Sequence, residues 1–213
     1  MFMTNDIFLS PHFKLSEFVV SETASRHGID NTPPEEAVEN LRRLCQGTLE
    51  PLREALQLPV VITSGFRTKA LNDRLAHSSE RSQHMQGCAA DFYVSSAGAR
   101  RRSRGSMGLW PGSRFNAAEP RFKVQGSLTK VRATQGSMTK IKVQGRRGLL
   151  IKAFRLIITS PEIDYDQLIL YPNFIHVSYV SKERNRHNIL KARSNGKLGY
   201  GKLSYTNAIL LNY

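Results

Sequence analysis

No stretch of this 213-residue chain approaches the run of about 18 apolar residues that a membrane-spanning helix needs. Met1 to Ser10 lacks a basic segment followed by a long apolar one, so no ordinary secretory signal is read there. Cysteine is scarce. Two residues, Cys45 and Cys88, cannot make the disulfide framework of a small secreted scaffold. Cys45 falls among Leu44, Leu49 and Leu52 in a helical pattern and reads as a small core residue. Cys88, between Gly87 and Ala89, reads as a small filler, with soft metal ligation as the alternative. Acids are nearly absent from one region. Between Ala97 and Arg155 there are 15 Lys and Arg and a single acid, Glu119, which accounts for the whole formal charge of +14. The remainder carries 16 bases and 16 acids. The basic excess is local, so it does not by itself make the whole chain a nucleic-acid binder.

What is present is patterned. In Leu15-Ser16-Glu17-Phe18, Ser16 is placed to cap a short helix from Glu17, with Phe18 facing inward. Thr32-Pro33-Pro34-Glu35-Glu36 opens a second helix, with Thr32 as cap, proline in the first turn and acids at the positive helix end. Val38, Leu41, Leu44, Cys45, Leu49, Leu52 and Leu56 then form one apolar stripe on a helix of about 20 residues, which Pro51 kinks or divides. Leu58 to Gly65 is a β-branched strand ending in a glycine turn, followed by Phe66-Arg67-Thr68 and a short helix through Leu71 and Leu75. Ala89 to Val94 is a strand with Asp91 and Tyr93 on one face. Tyr165–Tyr171 and Phe174–Tyr179 form two more strands joined by a hairpin at Pro172-Asn173. Asn185 to Leu190 reads as a polar segment and short helix, and Lys197 to Tyr213 as a weak strand without an assigned role.

The composition changes at Ser95. The unit Q-G-S-[LM]-T-K occurs at 125–130 and again at 135–140, too few copies for a solenoid. High charge and few large apolar side chains argue for disorder or a loose β-hairpin across 97–148. The expected organisation is a domain made of 1–96 and 149–195, a basic, poorly ordered insertion at 97–148, and a tail at 196–213. Ordered character returns with an apolar helix or strand from Leu149 to Ile158.

The chemistry centres on Ser82-Gln83-His84-Met85-Gln86-Gly87-Cys88-Ala89-Ala90-Asp91, an S-x-H-x-x-G-x-A-x-D pattern. Of six histidines, His84 and His176 stand beside or within strands among small or apolar neighbours. Each alone is an ordinary core histidine. With Asp91 they form a His-Asp-His set, and such a set leaves one position of a tetrahedral zinc ion open. Arg67, just after a buried strand, is placed to face such a site, with a surface arginine as the alternative.

In this order the motifs resemble the zinc D-alanyl-D-alanine carboxypeptidases of peptidase family M15, subfamily A, which share a metal-site architecture with hedgehog signalling domains. The similarity rests on Leu15-Ser16-Glu17-Phe18, the Asn40-to-Leu52 helix, Ile62-Thr63-Ser64-Gly65-Phe66-Arg67, the His84–Asp91 pattern, Asp166-Gln167-Leu168-Ile169, Ile175-His176-Val177-Ser178 and Asn185-Arg186. It covers roughly residues 8–95 and 150–192. It implies an α+β fold with a small antiparallel sheet, flanking helices on one side, and a metal site at one end of the sheet. It also implies one Zn2+ held by His84, Asp91 and His176, with Arg67 facing the substrate and Ser82 lining the site. The implied activity is cleavage of D-Ala-containing peptidoglycan stem peptides, as a carboxypeptidase or endopeptidase, by attack of zinc-bound water. Some relatives are endolysins, which fits a protein made in the cytoplasm and released to the cell wall.

The sequence departs from the family in two respects. A carboxylate is expected three or six residues before the last ligand, and those positions hold Asn173 and Leu170. Deleting one turn residue brings Tyr171 into the place of the base, but neither Tyr nor Asn is a base at neutral pH. Asp166 is the nearest carboxylate in sequence. The second departure is the basic insertion, for which contact with an anionic cell-wall polymer or nucleic acid is the functional reading. The missing base motivates an alternative, a non-catalytic zinc-containing cell-wall-binding module.

Overall fold

The structure is a computed structural model, and it describes residues 6–76, 78–96, 135–192 and 200–211. Two short strands, β1 (Phe8–Ser10) and β2 (Phe13–Lys14), form an N-terminal hairpin. Helices α1 (Leu15–Val19), α2 (Glu22–His27) and α3 (Glu35–Leu44) follow. A π-helical turn at Cys45–Leu49 leads into α4 (Glu50–Leu56). Next come β3 (Val60–Ser64), α5 (Lys69–Arg74), a 3₁₀ turn (Gln83–Gln86) and β4 (Ala89–Val94). After α6 (Gln135–Thr159) the chain forms β5 (Gln167–Leu170), β6 (Ile175–Ser178), β7 (Asn188–Ala192), β8 (Tyr200–Lys202) and α7 (Tyr205–Ile209).

The main sheet has six strands in the order β3-β4-β6-β5-β7-β8. It is mixed. The β5–β7 pair is parallel and the other pairs are antiparallel, so the α+β class stands and the expected antiparallel sheet gains one parallel pair. One sheet face carries Phe92, Val94, Leu168, Leu170, Ile175 and Val177, which bury against the apolar stripe of α3–α4 and against Leu150, Phe154 and Ile157 of α6. Alternation along a strand sends Asp91 and His176 to the opposite face. Two of the candidate metal donors, Asp91 and His176, therefore project from the sheet face opposite the helices.

The stripe read from Leu41 to Leu56 is buried as expected. Pro51 divides the helix in a specific way. It has no N–H for the carbonyl of Gly47, and the preceding turn widens so that Glu50 N–H donates to the Cys45 carbonyl. The freed Gly47 carbonyl accepts the Asp164 amide at 3.0 Å, and the Thr48 hydroxyl donates to the Asp164 carbonyl at 2.5 Å. The Tyr179 ring fills the space above Gly47, where an added Cβ would stand 2.7 Å from it. The helix break thus docks the segment that leads into β5 and β6.

Local expectations differ at the helix starts. Helix α1 begins at Leu15, because the Ser16 hydroxyl is engaged by Asp6 at 2.5 Å and does not cap. Thr32 donates its amide and hydroxyl to Asp30, and α3 starts after Pro34. The segment expected as a helix near Leu190 is strand β7. Its partner β5 and the bond from Asn188 N–H to the Asp166 carbonyl at 2.9 Å override the local polar pattern. The tail contributes β8 and α7, with Ala208 fully buried. The segment from Leu149 to Ile158 is helical, and that helix starts at Gln135, inside the stretch read as an insertion. Residues 97–134, on which most of that reading falls, lie outside the described residues.

Candidate metal centre

Strands β4 and β6 are neighbours, and their register sets Asp91 directly opposite His176. The third donor comes from the 3₁₀ turn. Gly87 closes that turn in the left-handed region at φ 71°, and its amide donates to the His84 carbonyl at 3.2 Å. Its Cα packs against the backbone of Ala37, which leaves no space for a side chain. The spacing of the His84–Asp91 pattern is thereby explained: a tight turn at Gly87, then a strand whose third residue reaches the site.

The three side chains converge. His176 Nδ1 is 2.8 Å from Asp91 Oδ1 and 3.2 Å from His84 Nε2, and His84 Nε2 is 3.5 Å from Asp91 Oδ1. These donor atoms all lie within 4.8 Å of one another. His84 Nδ1 is 2.7 Å from the Gly65 carbonyl, which only accepts. Nδ1 therefore carries the proton, and Nε2 faces the cluster with its lone pair. Burial holds the His84 imidazole below its usual pKa, against the pull of Asp91, so it is neutral. For Asp91, burial opposes the charge, but the hydrogen bond from His176 Nδ1 to Oδ1 counters it, and the carboxylate lies below its usual range. A neutral imidazole and an ionised carboxylate are the forms that bind a metal. A single proton on His176 Nδ1 has to serve two acceptors, whereas a divalent cation at the same point satisfies all three groups.

Arg67 flanks the cluster. Its amide donates to the His84 carbonyl at 3.2 Å, and its Nη2 is 3.8 Å from Asp91 Oδ2. Burial lowers the guanidinium pKa, with Asp91 and the Tyr171 phenol acting against it. Nε of Arg67 is buried and has no hydrogen-bond partner among the described residues. An orphan donor beside a cleft is free for an incoming acceptor. The cleft, about 810 Å³, is lined by Ser82, His84, Asp91, His176, Arg67 and Tyr171 among others. Tyr171 stacks on Phe174 with ring centroids 4.2 Å apart. Asp91 is the sole carboxylate among the described residues lining the cleft.

Of the positions considered for a base, Leu170 is buried in the helix-facing core and Asn173 sits in the exposed hairpin turn. Asp166 is buried elsewhere. Its carboxylate accepts from Gln83 Nε2 at 2.8 Å and from the Arg186 amide, Nε and Nη2 at 3.0, 2.8 and 2.5 Å. The Ser178 hydroxyl is 3.4 Å away. Sequence reasoning missed this node. Its signals were an aspartate directly before β5 and an Asn-Arg pair after β6. Cys88 is buried and does not join the donor group.

A Peptidase M15 family model matches residues 11–105. The match covers less than half of the chain, and over that stretch the sequence is similar to the peptidase M15 family. The matched stretch includes Arg67, Ser82, His84 and Asp91 and stops well before His176, which the β4–β6 pairing adds to the cluster. No curated protein and no solved structure matches the chain. The matched stretch supplies two of the three converging donors, His84 and Asp91, and the similarity is to a family of peptidases.

Proposed function

We propose that the chain is a zinc metallopeptidase acting on the D-Ala-containing stem peptides of peptidoglycan. His84, Asp91 and His176 would hold one Zn2+ ion, as the resemblance to subfamily A of M15 implies. A zinc ion in that place supplies Lewis-acid chemistry, polarising a carbonyl and making water nucleophilic near neutral pH. The observation that carries this reading is the convergence of two imidazoles and a carboxylate, from three separate elements, on the floor of an open cleft.

The chain's own groups have assignable tasks. The Arg67 guanidinium binds a carboxylate or a developing oxyanion, with its unpartnered Nε available for that bond. The Ser82 segment lines the cleft and shapes the approach. The Tyr171 phenol stands where the resemblance places the base. At neutral pH it is a hydrogen-bond donor and not a proton acceptor, so it would hold the substrate's carbonyl oxygen or leaving group.

Metal analysis of purified protein should find about one zinc per chain, lost in His84→Ala, together with zinc-dependent release of D-Ala or stem-peptide fragments from peptidoglycan. Absence of zinc, or zinc that survives His84→Ala unaltered, defeats the reading. One observation favours a second reading, a zinc-containing cell-wall-binding module without activity: among the described residues, the cleft offers no carboxylate apart from the candidate ligand Asp91. Zinc-loaded protein that binds cell wall and releases nothing supports that alternative, and hydrolysis abolished by His176→Ala rules it out.

A further inference from the structure

Strand β3 is the outer strand of the six-stranded sheet. Its ladder runs to β4 on one side. Among the described residues, no backbone–backbone bond leaves its other side, and the Gly65 carbonyl beyond its end accepts from His84. Five consecutive residues, Val61 to Gly65, line a groove of about 800 Å³. Consecutive residues of a strand line one groove only when the strand's edge, and not one of its faces, forms the wall. The opposite wall is made by α1 and the start of α2, including Glu17, Val20 and Glu22. This groove and the metal cleft share Ser64, Arg67 and Leu75.

An unpaired strand edge is a template for an extended chain, whose main-chain groups complete the ladder. Ser64 and Arg67 line both spaces, so a chain laid along the free edge of β3 enters the metal cleft as it leaves the strand. From Val61 to Ser64 the edge accommodates about three residues at roughly 3.3 Å each. Beyond Arg67 the cleft continues toward Ile169, Tyr171 and Phe174. A substrate bound this way has residues on both sides of the donors. The two arms also differ in charge. The charged residues lining the β3 arm are Glu17 and Glu22, apart from Arg67 at the junction.

We propose that the free edge of β3 binds the substrate peptide as an added strand. The ammonium-bearing portion of the peptide lies toward Glu17 and Glu22, and the bond cut is internal to the chain. This rests on the peptidase reading and narrows it to an endopeptidase. The step is hydrolysis: the C–N bond and one O–H bond of water break, the carbonyl carbon gains the oxygen, and the amine nitrogen gains the proton.

The test uses the zinc-loaded full chain, a synthetic five-residue stem peptide with a free side-chain amine, and its acetylated counterpart. Mass spectrometry of the products should show fragments from an internal bond. Amide hydrogen exchange should slow in β3 when a version with that bond reduced is bound. Glu22→Gln should raise KM for the free amine about threefold and leave the acetylated peptide unchanged. Release of the terminal residue alone overturns the inference while leaving the metallopeptidase intact. So does bound peptide with unaltered β3 exchange. If the chain cuts no peptide, the peptidase reading falls, and the intact peptide becomes the probe. Protection of β3 then still supports the binding edge, and its absence removes it.

Discussion

Gln83 donates its side-chain amide to the buried carboxylate of Asp166 at 2.8 Å, and this bond ties the turn carrying His84 to the sheet carrying His176. The same carboxylate holds Arg186 and stands beside Ser178, two residues after His176. Burial opposes the charge on Asp166, but the bonds from Arg186 and Gln83 prevail, and its pKa falls to about 2 from the ordinary 3.8. A depressed carboxylate stabilises the fold above its unfolded pKa and ceases to do so as pH falls through the folded one. Asp166→Asn should therefore cost about 2 kcal/mol at pH 7, with the difference from wild type shrinking between about pH 4 and 2. Denaturant unfolding across that range checks it. Zinc affinity should weaken by about tenfold or more, as for other partners that orient ligands, and competition with a chelator measures it.

Tyr171 lines the cleft, and the Phe174 ring stacks on it at 14°. Tyr171→Phe keeps the stack and removes the hydroxyl. Zinc content should be unchanged, and kcat should fall by about 10- to 100-fold if the phenol donates to the reacting group. An unchanged kcat would remove Tyr171 from the chemistry and leave it a wall of the cleft.

These residues differ in how plainly the sequence announced them. Strand β4 was legible to its ends because β-branched, aromatic and small residues alternate there, and Asp91 was conspicuous as a charge within it. The β5–β6 hairpin was legible from Pro172-Asn173, and with it the face that His176 occupies. The helix stripe from Leu41 to Leu56 was legible from its period, since burial on one face imposes it. The response of the chain to Pro51 was not, because the group that takes the Gly47 carbonyl is Asp164, far along the sequence. Strand β7 was hidden for a similar reason. Its conformation comes from pairing with β5 and from the grip of Asp166 on Arg186, not from its own polar residues. Ser16 and Thr32 misled as caps because Asp6 and Asp30 compete for their hydroxyls. The parallel β5–β7 pair leaves no local mark at all.

Gly87 stands between the metal turn and α3. A side chain there meets two penalties, a left-handed backbone at φ 71° and the backbone of Ala37 at close range. Gly87→Ala should destabilise the protein by about 2 kcal/mol or more, since the strained conformation alone costs about 1 kcal/mol. Because the turn carries His84, zinc affinity should fall as well. Thermal unfolding with and without zinc separates the two effects. A variant equal to wild type in both would mean that α3 yields without cost.

The hairpin β1–β2 is latched to α4 through Glu50. The Ser10 hydroxyl donates to Glu50 Oε2 at 2.6 Å, the His12 amide donates to the same oxygen at 3.1 Å, and the His12 ring bonds the other oxygen. Burial raises the Glu50 pKa, but the Ser10 and His12 bonds outweigh it, and the net shift is downward. The stabilisation is thus present at neutral pH and above the ordinary carboxylate range, and it is lost as pH falls below that range. Glu50→Gln removes the charge and leaves one oxygen in place of two, at an expected cost of about 1–3 kcal/mol at pH 7. At pH 3 the two proteins should differ less, because protonation weakens the same bonds in the wild type. The hairpin should open first, so amide exchange at Phe8 to Phe13 is the sensitive probe. If Glu50→Gln leaves exchange and stability as they were at pH 7, the latch contributes nothing to the fold.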